Sequence, residues 1–231
     1  MSRPARFYLP SLHDGQVTLD GPEAHHLLKV RRLGEGAVVE LFDGSGQSAE
    51  ATIVSTTRRD ATLEVGTIES EPAVNELVTL AIGFPKPDRA RWMVEKLTEL
   101  GVAKIIPLKT EFSQSSGKPI NTTKLNQYVI DACKQCGRNR LMAIDEPVSL
   151  DALLADKAIN FLLADAEGEH ATAVELNEKT VVLIGPEAGF SASERQNAIE
   201  AGANPVSFAA NILRVETAAI AAALLLRPGQ A

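Results

Sequence analysis

The sequence predicts an α/β protein in which a parallel sheet with covering helices follows a smaller, mainly β domain. Three observations carry this reading. Residues 181–226 hold two strand-to-loop-to-helix units in succession, the first opening on Val181-Val182-Leu183-Ile184. Such a continuous apolar run is what a strand shows when both of its faces are buried. From residue 77 onward, apolar runs of strand length alternate with helical apolar stripes, the pattern of a parallel α/β sheet. Residues 1–70 instead carry short apolar or alternating runs between glycine turns, with one helical interruption, as a small barrel would.

Composition bounds the function. At 231 residues the chain has room for one large domain or a medium and a small one, each with a core. The apolar stretch 218–226 is half the roughly 18 residues that a membrane span needs. Met1-Ser2-Arg3-Pro4 lacks the apolar core of a signal peptide, so a cytoplasmic protein with no membrane partner is expected. Cys133 and Cys136 form a C-x-x-C without the second pair that a structural zinc site requires. Two thiols on one helix in a reducing compartment, with no metal, is the expectation.

The net charge of −7 argues against a generally basic nucleic-acid coat. Its distribution says more. Residues 1–70 carry 7 basic and 10 acidic side chains, 71–150 carry 11 and 9, and 151–231 carry 5 and 11. A polyanion could be held only by local patches outside the acidic C-terminal third. The candidates are Arg3/Arg6, Lys29/Arg31/Arg32, Arg58/Arg59, Lys86/Arg89/Arg91 and Lys134/Arg138/Arg140.

The elements follow in order. Strands are expected at 6–9, 16–19, 38–41, 49–54 and 61–65, with turns at Asp14-Gly15, Asp43-Gly44 and Ser45-Gly46. One short helix is expected over 22–30. Its adjacent His25 and His26 point to different sides, which favours structure over a metal or catalytic pair. Glu69-Ser70-Glu71-Pro72 shifts the composition, dividing the chain into domains 1–71 and 72–231. Next come a buried strand over 77–83 and a helix to residue 100, capped from 85–88, with Ala90, Met93, Leu97 and Leu100 as its stripe. A strand at 102–108, a polar loop at 111–120 and a helix at 121–136 lead to a strand at 160–164 and an acidic loop at 165–170. Gly185-Pro186-Glu187-Ala188-Gly189-Phe190 ends the strand at 181–184. Ser191-Ala192-Ser193-Glu194 then reads as a capping box for a helix to about residue 202. A second turn at 208–211 leads through Ile212-Leu213-Arg214-Val215-Glu216-Thr217 into an Ala/Leu helix, with Arg227-Pro228-Gly229 as its stop signal. Both loops fall at the strand ends where open α/β sheets bind ligands. On composition alone, Gly185 and Gly189 could be plain turn residues, and Arg214 with Glu216 a surface ion pair.

Val182-Leu183-Ile184-Gly185-Pro186-Glu187-Ala188-Gly189-Phe190-Ser191-x-x-Glu194, followed by Ile212-Leu213-Arg214-Val215-Glu216-Thr217-Ala218, resembles the paired signature of the RsmE family. These are bacterial ribosomal RNA methyltransferases of the SPOUT (α/β-knot) class. His25-His26-Leu27-x-Lys29-Val30-x-Arg32 is similar to that family's N-terminal motif. Pro85-Lys86 and Thr98-Glu99-Leu100-Gly101-Val102-x-x-Ile105-x-Pro107 resemble its central one, and Ala132-Cys133-x-Gln135-Cys136-Gly137-Arg138 resembles a proteobacterial variant. The resemblance implies a PUA-like β-barrel that binds RNA, then a trefoil-knotted methyltransferase domain acting as a homodimer. It implies N3 methylation of a specific uridine of 16S rRNA in the 30S subunit. The methyl donor implied is S-adenosylmethionine, held by the loop after Leu163-Ala164, by Gly185, Pro186, Glu187, Ala188 and Gly189, and by Ala209, Asn211, Ile212, Leu213 and Thr217. RNA contacts are expected from Arg3, Arg6, Lys29, Arg32, Arg58, Lys86 and Arg138.

Methyl transfer from a sulfonium needs no metal, only an aligned acceptor nitrogen. Uridine N3 must lose its proton, and negative charge then builds on the flanking carbonyls, where a fixed cation stabilises it. Arg214 is the candidate cation. Glu216 is its orienting partner or the proton acceptor, and Glu187 is a possible loop brace. The family usually has glycine where this chain has Ala188 and Ala209, which is compatible with a ligand-binding loop only if both stay at negative φ and no ligand atom sits against the Cα. Asn211 stands where a basic residue is common, and Glu111-Phe112-Ser113 where the family often has an Arg-Ser pair.

Overall fold

The structure, a computed structural model, describes residues 4–72, 79–113, 120–171 and 179–226. The described residues fall into two compact units, one drawn from Met1–Val74 with Cys133–Leu141 and the other from Asn75–Ala132 with Met142–Ala231.

The first unit is a six-stranded sheet of β1 (Arg6–Tyr8), β2 (Gly15–Leu19), β3 (Val38–Phe42), β4 (Gln47–Thr56), β5 (Ala61–Val65) and β6 (Glu69–Ser70). The order is β1-β3-β4-β5-β2, with β6 on β4. Every pairing is antiparallel except β1 with β3. Alternation along β2, β4 and β5 sends Val17, Leu19, Ile53 and Leu63 into one core with Phe7, Leu27, Val39 and Leu41. The expected helix begins as α1 (Gly21–His25) and continues as a π-helical turn, His26–Val30, in which the Arg31 amide donates to the His26 carbonyl at 2.9 Å. The wider turn keeps Leu27 buried while Lys29 and Val30 face out. His26 stacks obliquely on Phe7 at 5.6 Å. Leu19 and Thr56 both pair with Ala61, which puts the segment after β2 and the β4–β5 turn at one end of the sheet.

The inclusion of Cys133–Leu141 in this unit was not foreseen from the sequence. Asn139 is 6% exposed; its amide donates to Ser48 Oγ at 3.2 Å and Glu71 Oε1 at 2.7 Å. Arg140 donates to the carbonyls of Ser45 and Glu71. Lys134 pairs with Glu23 at 2.7 Å. Arg6 completes the cluster and corrects the expectation that it contacts RNA. It is 5% exposed, with Nε 3.2 Å from Glu40, and it donates to the Cys133 carbonyl and to Asn139 Oδ1. Its guanidinium also lies 4.8 Å from the Phe42 ring centre. A side chain so enclosed has no face left for a polyanion. Arg3 lies outside the described residues.

The second unit contains β7 (Thr79–Ile82), α2 (Pro87–Glu99), β8 (Lys104–Lys109), α3 (Thr122–Cys136), which runs on into the first unit, β9 (Ala143–Ile144), β10 (Val148–Ser149) and α4 (Leu150–Leu154). Then follow β11 (Asn160–His170), β12 (Thr180–Ile184), α5 (Ala192–Glu200), β13 (Asn204–Ser207) and α6 (Val215–Leu225). The sheet runs β10-β8-β7-β12-β11-β13, with β9 on β8, and every pairing is parallel. Ala81, Ile106, Leu163, Val181 and Leu183 share a core with Leu150, Leu153 and Ala198 of α4 and α5. The alternate residues Leu80, Ile82, Val182 and Ile184 are buried on the opposite side, where α2 and α6 pack together and α6 lies on β7 and β12. From β13 at the sheet edge the chain therefore returns past β11, the path that the α/β-knot class entails. Ala218, Ala219, Ala222 and Ala223 are buried; with no bulk beyond Cβ they let α6 approach closely.

Residues 77 and 78 of the expected strand lie outside the described residues, as does the 227–229 stop signal. Two local expectations need correction. The N-cap of α2 is Lys86, without a side-chain cap, and Pro87 takes the first turn, where its missing N–H costs nothing. The expected acidic loop at 165–170 is instead the far end of β11. Ala164 and Glu169 both register with Val206, so Asp165–Gly168 bulge out and the strand then resumes.

Candidate active site

Because every pairing in the second unit's sheet is parallel, the C-terminal ends of β7, β12, β11 and β13 share one edge, and the two signature loops leave from it. The first leaves β12, which is buried along its whole length. The Gly83 amide donates to the Ile184 carbonyl at 2.8 Å, and a Cβ on Gly83 would lie 2.5 Å from the Pro186 nitrogen. Glycine is required there because the loop after β7 rests on the signature loop. The Gly189 amide closes a turn onto the Pro186 carbonyl at 2.8 Å, with Gly189 at φ +77° and nothing within 4 Å of where its Cβ would be. Glu187 and Ala188 are exposed on this turn. Ser191 then caps α5 with the reciprocal box expected from the sequence. Glu194 does more than cap: its second oxygen accepts from the Glu111 amide at 2.8 Å, fastening the loop after β8 to the start of α5.

The β11 bulge forms the middle of the edge. Its Gly168 passes against β13, where a Cβ would fall 2.4 Å from the Pro205 carbonyl carbon. Asp165 accepts from the Glu167 amide at 3.0 Å and pairs with Arg195 at 2.7 Å. Burial works to raise the Asp165 carboxyl, but those two partners outweigh it and hold it below its ordinary value.

The second signature loop leaves β13. Phe208 is buried, Ala209 and Leu213 are half-buried, and Ala210 and Asn211 are exposed. Ile212 is 90% exposed, a large apolar side chain presented at the strand ends. Ala188 and Ala209 both keep negative φ; among the described residues the one non-glycine at positive φ is Arg32, at 54°. The added methyl groups therefore introduce no backbone strain.

Arg214 is the exposed N-cap residue of α6, its carbonyl accepting from Ala218 at 2.8 Å. Thr217 is exposed on the first turn. Glu216 behaves differently. It is 7% exposed, and its ion pair is with Arg89 of α2, at 3.8 Å. The surface Arg214–Glu216 pair is thereby corrected: two residues along a helix face different directions, and the Glu216 direction is into the α2–α6 contact. The sequence named Arg89 within the Lys86/Arg89/Arg91 patch, and carried no signal of its pairing with Glu216.

The structure thus brings Leu163, Ala164, Gly185, Pro186, Glu187, Ala188, Gly189, Ala209, Asn211, Ile212 and Leu213 to the ends of three neighbouring strands. Arg214, Glu216 and Thr217 open the helix that follows. Lys86 is exposed at the start of α2. In the first unit Lys29, Arg32 and Arg58 are exposed, and Arg138 is half-buried in Cys133–Leu141. Among the described residues no group of His, Cys, Asp or Glu could hold a metal ion, and no helix is long and apolar enough to cross a membrane.

Residues 72–227 match the RNA methyltransferase domain, and residues 19–66 the RNA methyltransferase PUA domain. The ribosomal RNA small subunit methyltransferase E of Helicobacter pylori is 30% identical over 196 residues, covering 81% of this chain and 84% of that protein. That of Rickettsia conorii is 27% identical, covering 88% and 85%. Among solved structures, the same enzyme from Neisseria gonorrhoeae, bound to S-adenosyl methionine, superposes with a TM-score of 0.84 at 27% identity, over 96% of each chain. A Legionella pneumophila protein solved with the cofactor SAM superposes with 0.87 at 28%, over 97% of each. Signature loops, parallel sheet, N-terminal unit and relatives agree: the chain belongs to the RNA methyltransferase family of ribosomal RNA small subunit methyltransferase E.

Proposed function

We propose that this chain transfers the methyl group of S-adenosylmethionine to N3 of a specific uridine in 16S rRNA of the small ribosomal subunit, working in the cytoplasm as a homodimer. The observation that carries the reading is the convergence of the β11 bulge and the loops after β12 and β13 on one sheet edge. Backbone donors and acceptors, the open face of Gly189 and the exposed Ile212 fit a ligand with a polar base edge and an apolar ring face. The cofactor supplies an electrophilic methyl group on a sulfonium. The chain's own residues place the acceptor. Arg214, at the mouth of the second loop, stabilises the charge that builds on the uracil carbonyls as N3 loses its proton. Residues 1–71 supply RNA contacts through Lys29, Arg32 and Arg58, and residues 72–231 add Lys86 and carry the chemistry. Arg138 belongs to the same set of contacts. Exposed Leu224 and Leu225 on α6, at 50% and 38%, give a second copy an apolar surface to cover.

Incubation with labelled S-adenosylmethionine and either intact 30S particles or deproteinised 16S rRNA tests the proposal. Incorporation into rRNA, with a preference for one of the two substrates, is expected. Binding of cofactor and RNA without incorporation would make the chain a non-catalytic relative.

A further inference from the structure

The carboxylate of Glu216 sits in an unusual position for a proton acceptor. The residue is 7% exposed, one carboxylate oxygen lies 3.8 Å from Arg89 Nε, and the other is buried without a hydrogen-bond partner among the described residues. A buried carboxylate is costly unless a cation or a helix N-terminus compensates it. Here the first turn of α6 and the Arg89 guanidinium do so. Arg89, in contrast, keeps its side chain 43% exposed. Its Nε edge faces Glu216, which leaves the Nη edge of the planar fork for an outside acceptor. Its neighbour Arg91 is otherwise engaged, with Glu95 at 2.7 Å and over the Tyr128 ring at 5.0 Å. Lys86 is exposed one turn earlier, with Asp88 exposed between them.

Strand order says which ligand this cation meets. β12 lies between β7 and β11. The proposed cofactor loops leave β12, β11 and β13, on one side, whereas Arg89 enters from the helix that follows β7, on the other. We propose that Arg89 is a further RNA-contacting residue that seats a phosphate of the acceptor strand, and that Glu216 is its positioning residue rather than the proton acceptor. A guanidinium held at one edge presents two parallel donors at the other, which matches two phosphate oxygens. This inference rests on the proposed RNA methylation, and it places a second cation beside the helix end that carries Arg214.

The test is steady-state methylation of intact 30S particles at several salt concentrations, together with calorimetry of S-adenosylmethionine and filter binding of 16S rRNA, which needs no turnover. Arg89→Ala is expected to raise KM and the RNA dissociation constant about tenfold and to reduce the salt slope by about 0.7 to 0.9, the contribution of one phosphate contact. Cofactor affinity should stay within twofold. Glu216→Gln should raise KM by about threefold or more in the wild-type background and add nothing in the Arg89→Ala background, because it acts through Arg89. Arg89→Lys keeps the charge opposite Glu216 and should show an intermediate KM. With the Arg89→Ala/Glu216→Gln pair it carries the test should Arg89→Ala alone not fold. Wild-type RNA affinity and salt slope in the Arg89 variants would overturn the proposal. So would a loss of kcat of about 10²-fold in Glu216→Gln, in either background, at unchanged KM. An inactive wild type would refute the proposed reaction, while the filter-binding arm would still decide the role of Arg89.

Discussion

At the scale of single residues, Arg6, Arg89 and Arg214 look alike in the sequence and differ in the fold. Arg214 caps α6 with its side chain in solvent, where it can meet a substrate. If it stabilises the uracil carbonyls as charge develops, its effect is larger in the transition state than in the ground state. Arg214→Lys keeps the charge and loses the fork, so single-turnover methylation at saturating RNA and cofactor should fall about 10²-fold, with cofactor affinity little changed. A rate near wild type would return Arg214 to a structural part. Arg6 has the opposite character. Its partners Cys133 and Asn139 are 127 and 133 residues away, so nothing local in the sequence marks it as buried. Arg6→Ala leaves Glu40 and Asn139 facing a void and should destabilise the chain by about 3 kcal/mol, the lower end for breaking a buried pair; chemical denaturation measures this. The turn at Gly189, by contrast, was legible, because the positive φ it adopts, +77°, is a local property.

Among the elements, those whose signals are local were readable from the sequence. The buried run of β12, the capping box of α5 and the helical stripe of α2 depend on spacing within one segment. The end of β11 was not readable. Asp165, Glu167 and Glu169 suggest a solvated loop, and only the fit of Gly168 against Pro205 lets the strand resume on β13. The Asp165–Arg195 contact that ties this bulge to α5 gives a pH prediction. The folded Asp165 carboxyl is held below its ordinary value of 3.8. Its contribution to stability is therefore present above that value and lost as pH falls through the lower folded one. Asp165→Asn should remove this part of the acid dependence, so wild type and variant should converge in stability as pH drops below about 3.8. Unfolding midpoints that stay parallel through that range would show that the pair carries no such linkage.

For the whole molecule, the sequence conveyed two domains and a parallel sheet, but neither the strand order nor the assignment of Cys133–Leu141 to the first unit. Strand order is a matter of long-range pairing, and a run such as 181–184 reads the same wherever it lies in a sheet. The insertion of β12 between β7 and β11 is what sets Gly83 against Pro186 and brings α6 back onto α2. The same return leaves Leu224 and Leu225 outward. Sedimentation at micromolar concentration should accordingly give twice the 24.7 kDa chain mass; a single-chain species alone would exclude a dimer and any site that depends on one. The central claim is the reaction itself. It is tested most directly by treating 30S particles that lack the modification with this protein and S-adenosylmethionine, then digesting the 16S rRNA for nucleoside mass spectrometry. One N3-methyluridine per rRNA is the predicted product, and either no methylated nucleoside or one methylated at another atom would contradict the account.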